Sequence, residues 1–402
     1  MKRTILILIA LSCSTAFAVQ DPNAVAKLRL AQNFEEAQEW ERAMPLYDEL
    51  YRSDPNSFVY AEGLKRSCVQ LKQYGKAIAV VVVQLQSRPN DAALRVSLGG
   101  LYYDAGDESR ADSVWAVVIA RDPKNPNIYR SLASQLMERR LYDRTIKTYA
   151  DARTNTGNDG LFADELGLLY SYMQQYTAAT REFIKSLRNT PELLGMVQSR
   201  ISSFTIRSEG LGAATEVTDD ELRRSPDNIT LHTLRAWLAM ESKNFDTAFE
   251  EYQTIDRTKK ANGAEMFNFA TRAFQERAYA VSAKSQREVM ERSTDRNLIP
   301  QARYGYALAI EQLSDQTDSV SGMVPGASVS ETQPTFSGAL ALYQQIVSDY
   351  PNAFVAGAAQ YRIGLIFSER MNDLDRALEA FQNARTVVRG NDLTYGATMK
   401  IA

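Results

Sequence analysis

Apolar and polar residues alternate along this chain at helical spacing. In "PNIYRSLASQLMERRLYDRTIKTYADA" (126–152), Leu132, Leu136 and Met137 fall on one face before a polar break. Tyr142, Ile146 and Tyr149 do the same after it. Two amphipathic helices joined by a short turn are predicted, and the arrangement recurs. Pro55, Pro89 and Pro123 stand 34 residues apart, and the next two slots hold Gly157 and Pro191. These breakers stop each second helix before the next pair begins. Trp40, Tyr74, Tyr142 and Tyr176 keep the same phase, with Glu108 as the departure. Ala43, Ala77, Ala111 and Ala179 form a further series, broken by Thr145. Large residues recur at Tyr47, Val81, Trp115, Tyr149 and Phe183. Independent series sharing one phase over five units identify an internal repeat.

Two copies, "LGGLYYDAGDESRADSVWAVVIARDP" and "LGLLYSYMQQYTAATREFIKSLRNTP", each show Leu-Gly, an aromatic three residues after the Gly, a central Ala, a later aromatic and a closing Pro. In this the chain resembles the tetratricopeptide repeat family. The resemblance implies an all-α fold, a right-handed superhelical solenoid of antiparallel helix pairs. Gly inside a helix costs about 1 kcal/mol relative to Ala. Gly99 and Gly167 are therefore expected where a neighbouring helix approaches closely. Ala111 and Ala179 are expected at the same kind of contact, where enlargement would cost roughly 1–3 kcal/mol.

Five regular units occupy 24–191, and degenerate helix pairs follow over 192–313. Residues 314–336, rich in Ser, Thr, Gly and Pro, predict a flexible insertion, either a tolerated loop or a binding arm. Further units run over 337–402. Arrays of this kind close on a polar capping helix. The last segment, "YGATMKIA", does not resemble one, so the array is expected to continue beyond residue 402.

The N-terminus changes the picture of where the chain acts. Lys2 and Arg3, an apolar run from Ile5 to Leu11 and "AFA" at 16–18 read as an export signal over residues 1–18. Its apolar run is far shorter than the roughly 18 residues of a membrane span. Cleavage would move the formal net charge from -3 to -5. A lipid anchor at Cys13 is the lesser alternative, because Ala10 stands where lipoprotein signals carry Leu. After ordinary cleavage Cys68 has no partner for a disulfide and is expected to be a small core residue.

Candidate chemistry is sparse. Gly99-Gly100 is followed by no phosphate-loop lysine and preceded by no strand. Asp104, Asp107 and Glu108 fall in the turn between two helices and lack the ligand spacing of a Ca²⁺ loop, so they are read as a solvated turn. His232 is the only histidine, which excludes a multi-histidine metal site. "TDDELRR" (218–224) reads as a solvated charged face with Asp220 and Arg224 at i,i+4 spacing. "NIT" at Asn228 fits a glycosylation acceptor in a eukaryotic secretory route alone. No catalytic constellation, cofactor or metal site is expected, and no basic run suggests nucleic acid.

The family's groove is lined by the first helix of each unit and takes peptides or partner helices. Carried over slot by slot, the resemblance gives Glu62, Arg66, Tyr103, Arg130, Ser134, Asp164 and Tyr172 as candidate partner-binding residues. The family's carboxylate clamp uses Lys and Asn where this chain has Glu62 and Arg66, then Arg130 and Ser134, so it is not reproduced. Arg66 and Arg130 are suited to an acidic partner. "SDYPNAFVAGAAQYRIG" is similar to tetratricopeptide proteins of the bacterial envelope, such as outer-membrane assembly lipoproteins and Tol–Pal-associated proteins. The expected function is an exported, non-enzymatic scaffold for other proteins, periplasmic or associated with the outer membrane. Two alternatives remain: a non-catalytic targeting arm of a larger enzyme, and a self-assembling structural subunit.

Overall fold

The computed structural model describes residues 22–321, 335–387 and 392–401. The export segment with Cys13, and residues 322–334 of the insertion, lie outside them. The chain divides into two compact units, one up to Phe162 and one from Ala163. Among the described residues every regular element is helical, in keeping with an all-α repeat fold.

The first unit contains α1 (Pro22–Glu36), α2 (Trp40–Ser53), α3 (Phe58–Gln70), α4 (Tyr74–Ser87), α5 (Ala92–Asp104), α6 (Glu108–Arg121), α7 (Pro126–Glu138) and α8 (Tyr142–Thr156). The series Trp40, Tyr74, Glu108, Tyr142 is the first residue of each second helix. Two residues earlier the backbone turns left-handed each time, at Gln38 (φ 58°), Lys72 (56°), Gly106 (85°) and Arg140 (58°). The following amide then reaches back to the carbonyl five residues before it: Glu39 to Phe34 at 2.8 Å, Gln73 to Cys68 at 2.7 Å, Asp107 to Tyr102 at 2.9 Å and Leu141 to Leu136 at 2.9 Å. This is a Schellman closure, which satisfies helix-end carbonyls and reverses the chain within three residues. Only Gly106 adopts it without the penalty that a Cβ carries there.

That sharp reversal presses the second helix onto the first. Ala43, Ala77, Ala111 and Thr145 are completely buried in the slot nearest the partner helix. Thr145 fits because its hydroxyl donates to the Leu141 carbonyl at 3.0 Å. Tyr47, Val81, Trp115 and Tyr149 are buried one turn further along. A Cβ on Gly99 would stand 2.2 Å from Nε1 of Trp115, so the indole lies directly on the glycine. The indole N–H donates to the Val96 carbonyl at 3.1 Å. Cys68 is fully buried, and burial pushes its thiol above the ordinary range.

The second unit opens with α9 (Ala163–Tyr172) and α10 (Tyr176–Asn189), which repeat the same rule. Gln174 is left-handed (φ 59°), Ala179 is fully buried, and the Phe183 ring lies on Gly167. After a short 3-10 turn come α11 (Leu194–Thr205), α12 (Ser208–Arg224), α13 (Ile229–Glu241), α14 (Phe245–Lys259), α15 (Ala264–Gln275) and α16 (Tyr279–Arg292). The pair α11–α12 departs from the rule. Its connection is only Ile206-Arg207, and a Cβ on Gly210 would lie 2.3 Å from the Phe204 carbonyl oxygen. Next, α17 (Leu298–Ser321) continues well past Leu313, where the apolar pattern stops. It is followed by α18 (Phe336–Asp349), α19 (Phe354–Glu369), α20 (Leu374–Val387) and α21 (Asp392–Ile401). No described helix is long and apolar enough to cross a membrane.

Candidate partner-binding face

The candidate residues of the first unit lie on the first helices of successive pairs. Glu62 and Arg66 are one turn apart on α3, Tyr103 is on α5, and Arg130 and Ser134 are one turn apart on α7. Arg66 is not a bare cation. Its Nε and Nη2 donate to the Glu35 carboxylate of α1 at 2.6 and 3.1 Å, and the Tyr47 hydroxyl donates to the same carboxylate at 2.5 Å. Burial pushes the Glu35 carboxyl up, but the bonds from Arg66 and Tyr47 and the Arg66 charge outweigh it and hold the group below its usual range. Burial and the neighbouring Glu35 anion push the Tyr47 phenol upward. Glu62 pairs with Lys65 on its own helix at 2.7 Å.

Tyr103 is likewise absorbed by packing. Its ring stacks on Trp115 with centroids 6.3 Å apart, and the Arg144 guanidinium lies 5.6 Å from the ring centre. Arg144 in turn bonds Glu108 and Asp112, each at 2.9 Å. Arg130 and Ser134 are exposed. Arg130 donates to the Asn127 side chain at 3.1 Å and places its guanidinium 5.2 Å from the Phe162 ring centre. In the second unit, Arg200 of α11 grips Asp164 with two bonds of 3.1 Å. Tyr172 at the end of α9 is 68% exposed.

The acidic turn corrects the sequence reading. Asp104 is not a solvated turn residue but the last residue of α5, held by Arg139 of α7 through bonds of 2.8 and 2.6 Å. Asp107 caps α6 by accepting from the Arg110 amide at 3.0 Å. The "TDDELRR" face is also tied down, and its pairing is shifted. Arg223 bonds Asp220, Arg224 bonds Glu221 at 2.8 Å, and Arg235 of α13 reaches back to Asp219. His232 is half-buried, with Nδ1 2.5 Å from a Glu251 carboxylate oxygen and Nε2 2.7 Å from the Pro226 carbonyl. Among the described residues no group of three His, Cys, Asp or Glu side chains is placed to hold a metal.

One arrangement was not read from the sequence. Glu311 of α17 accepts from the Tyr343 hydroxyl of α18 at 2.7 Å and from Arg362 of α19 at 3.0 Å, with a second, shorter bond from Arg362. It repeats the Glu35–Tyr47–Arg66 trio more deeply: the Glu311 side chain is 7% exposed against 18% for Glu35. The three legs recur with the spacing lengthened by the intervening insertion. The signal that would have found it is a Glu followed by Tyr and Arg at 12 and 31 residues in one copy, and 32 and 51 in the other.

Residues 25–57 and 358–386 match the family model described as tetratricopeptide repeat. These segments cover α1–α2 and the core of α19–α20, where the helix-pair geometry is on view. The chain carries tetratricopeptide repeats at these two segments. No curated protein matches it. Similar solved structures include the P58(IPK) TPR domain, at 12% identity over 94% of this chain and 97% of that one, TM-score 0.25. Yeast Tom70 aligns at 14% identity over 94% of each chain, TM-score 0.23. The human IFIT1 dimer with m7Gppp-AAAA aligns at 12% identity over 91% of this chain and 72% of that one, TM-score 0.25. Along the chain, the first helices combine ion pairs that fix adjacent helices with an exposed Arg130–Ser134 step on α7.

Proposed function

We propose that this tetratricopeptide protein is an exported, non-enzymatic scaffold that binds peptide or helical segments of other proteins along its first helices. The observation that carries the reading is the repeated seating of one helix on the next, with Gly99 under Trp115, Gly167 under Phe183, and Ala111 and Ala179 fully buried. Such seating builds stiff stacked faces and concentrates exposed side chains such as Arg130, Ser134 and Tyr172 on rigid elements. Arg130 favours a partner that presents a carboxylate. Arg66 contributes less than its charge suggests, because Glu35 already neutralises it.

The signal-like N-terminus supports export, and the "SDYPNAFVAGAAQYRIG" segment supports an envelope partner. Fractionation of cells, followed by N-terminal sequencing of the purified chain, tests export. The reading expects the mature chain to begin at Val19, outside the cytoplasm. A cytoplasmic chain retaining Met1 refutes it. Partner binding is tested by co-purification from envelope extracts with the intact protein and with Arg130→Glu. A partner retained by the intact protein and lost by the variant supports the scaffold reading, and recovery of none counts against it.

A further inference from the structure

The geometry points to a carboxylate-binding cleft at the loop end of α5, α6 and α7, lined by none of the candidate partner-binding residues. Arg95 Nη2 donates to the Pro89 carbonyl at 2.6 Å, and Arg121 Nη1 donates to the same oxygen at 3.2 Å. Two guanidinium groups thus converge on one neutral acceptor and repel each other. Among the described residues neither forms an ion pair. The Arg95 Nε–H is buried and has no hydrogen-bond partner, an arrangement that costs free energy. Both side chains line a cleft of about 250 Å³.

The rest of the cleft selects among anions. Ala92, Val118 and Ile128 form an apolar wall beside the cations, and Asn90 and Asn125 add carboxamides. Asp122 lines the same space, its carboxylate held by the Asn125 amide at 3.0 Å. Two cations and one anion leave a single surplus positive charge. That suits a monoanion and opposes a dianion such as phosphate. The volume is below the roughly 300 Å³ at which small-molecule sites begin, so it takes one side-chain-sized group. A carboxylate on a short stem beside an apolar neighbour fits: an Asp or Glu side chain of a partner protein. A planar carboxylate also matches the guanidinium fork. The assignment rests on the reading that the chain binds proteins, but it is measured with an isolated peptide at residues outside the candidate set, so either can fail alone.

The experiment uses the full mature chain with Ile and Val methyl groups labelled for NMR. The probes are N-acetyl-Ala-Leu-Asp-amide, its Asn counterpart and inorganic phosphate. The Asp peptide is expected to move the Ile128 and Val118 methyl signals saturably, and the Asn peptide to leave them in place. Arg95→Gln and Arg121→Gln should each weaken the Asp peptide by about tenfold. Arg121 is exposed, so its variant keeps the fold even if Arg95→Gln perturbs the loop. No saturable shift, equal response to the Asn peptide, unchanged affinity in the Arg121→Gln protein, or phosphate binding tighter than the Asp peptide would each overturn the assignment.

Discussion

Replacing Gly99 with alanine adds one methyl group where the Trp115 indole already sits. The new Cβ would stand 2.2 Å from Nε1 and 2.5 Å from Cδ1 of the ring. The ring must move, and Trp115 is only 5% exposed, so there is no open side to move toward. Overpacking of this kind costs roughly 1–3 kcal/mol. Displacement also breaks the 3.1 Å bond from the indole N–H to the Val96 carbonyl, and an orphaned buried donor costs roughly a further 1–3 kcal/mol. Against this, alanine is the better helix former by about 1 kcal/mol. The net expectation is a loss of about 3 kcal/mol. Gly75, in the first turn of α4, is the internal control because nothing lies within 4 Å of its added Cβ. There the same substitution should stabilise by up to about 1 kcal/mol. Urea unfolding of the mature chain, followed by tryptophan fluorescence and far-ultraviolet circular dichroism, reads both. Gly99→Ala unfolding at the same or higher urea than Gly75→Ala would refute the packing account.

Three further outcomes follow from other sites. Lys72→Gly or Arg140→Gly should raise stability by about 1 kcal/mol, since each residue holds a left-handed conformation that disfavours a side chain; Gly106→Ala should lower it by a similar amount, read in the same urea titration. Gln84 is buried with neither amide atom bonded, so Gln84→Leu should stabilise by roughly 1–2 kcal/mol, and a loss would show that the amide has a partner in solution. The Glu35 carboxyl titrates below its ordinary 4.5 when folded, so its contribution is complete above that pH and fades as pH falls through the folded value. The stability gap between the native chain and Glu35→Gln should therefore close as pH falls below about 4.5, and a gap that is constant from pH 7 to pH 3 contradicts the assignment.

Much of this architecture is legible because the repeat fixes slot identity by size. An Ala at 43, 77, 111 and 179 and a bulky residue four positions later can only be satisfied by one helix lying on another. The turns are less legible. Their left-handed position holds Gln, Lys, Gly, Arg and Gln at 38, 72, 106, 140 and 174, and only the glycine announces its conformation. There the closure of two packed helices overrides local preference. The charged residues are the least legible. Asp104 reads as part of a solvated acidic turn until Arg139, 35 residues on, is brought beside it. Arg66 reads as an open groove cation until Glu35 and Tyr47 are seen around it. Their spacing of 31 is out of phase with the 34-residue repeat, and the second copy at Glu311, Tyr343 and Arg362 is stretched by the insertion. Ion pairs between successive first helices thus occupy Arg66 and Asp164, two of the positions that family slots nominate for a partner.

The scaffold account is tested most directly by photo-cross-linking in living cells, with a benzophenone amino acid placed at Ser134 on α7 and, in a second strain, at Ser113 on α6. Both residues are exposed, but only Ser134 lies on a first helix. The account predicts a discrete cross-linked protein partner from Ser134 and none from Ser113. No adduct at Ser134, or the same adducts from both positions, would contradict it.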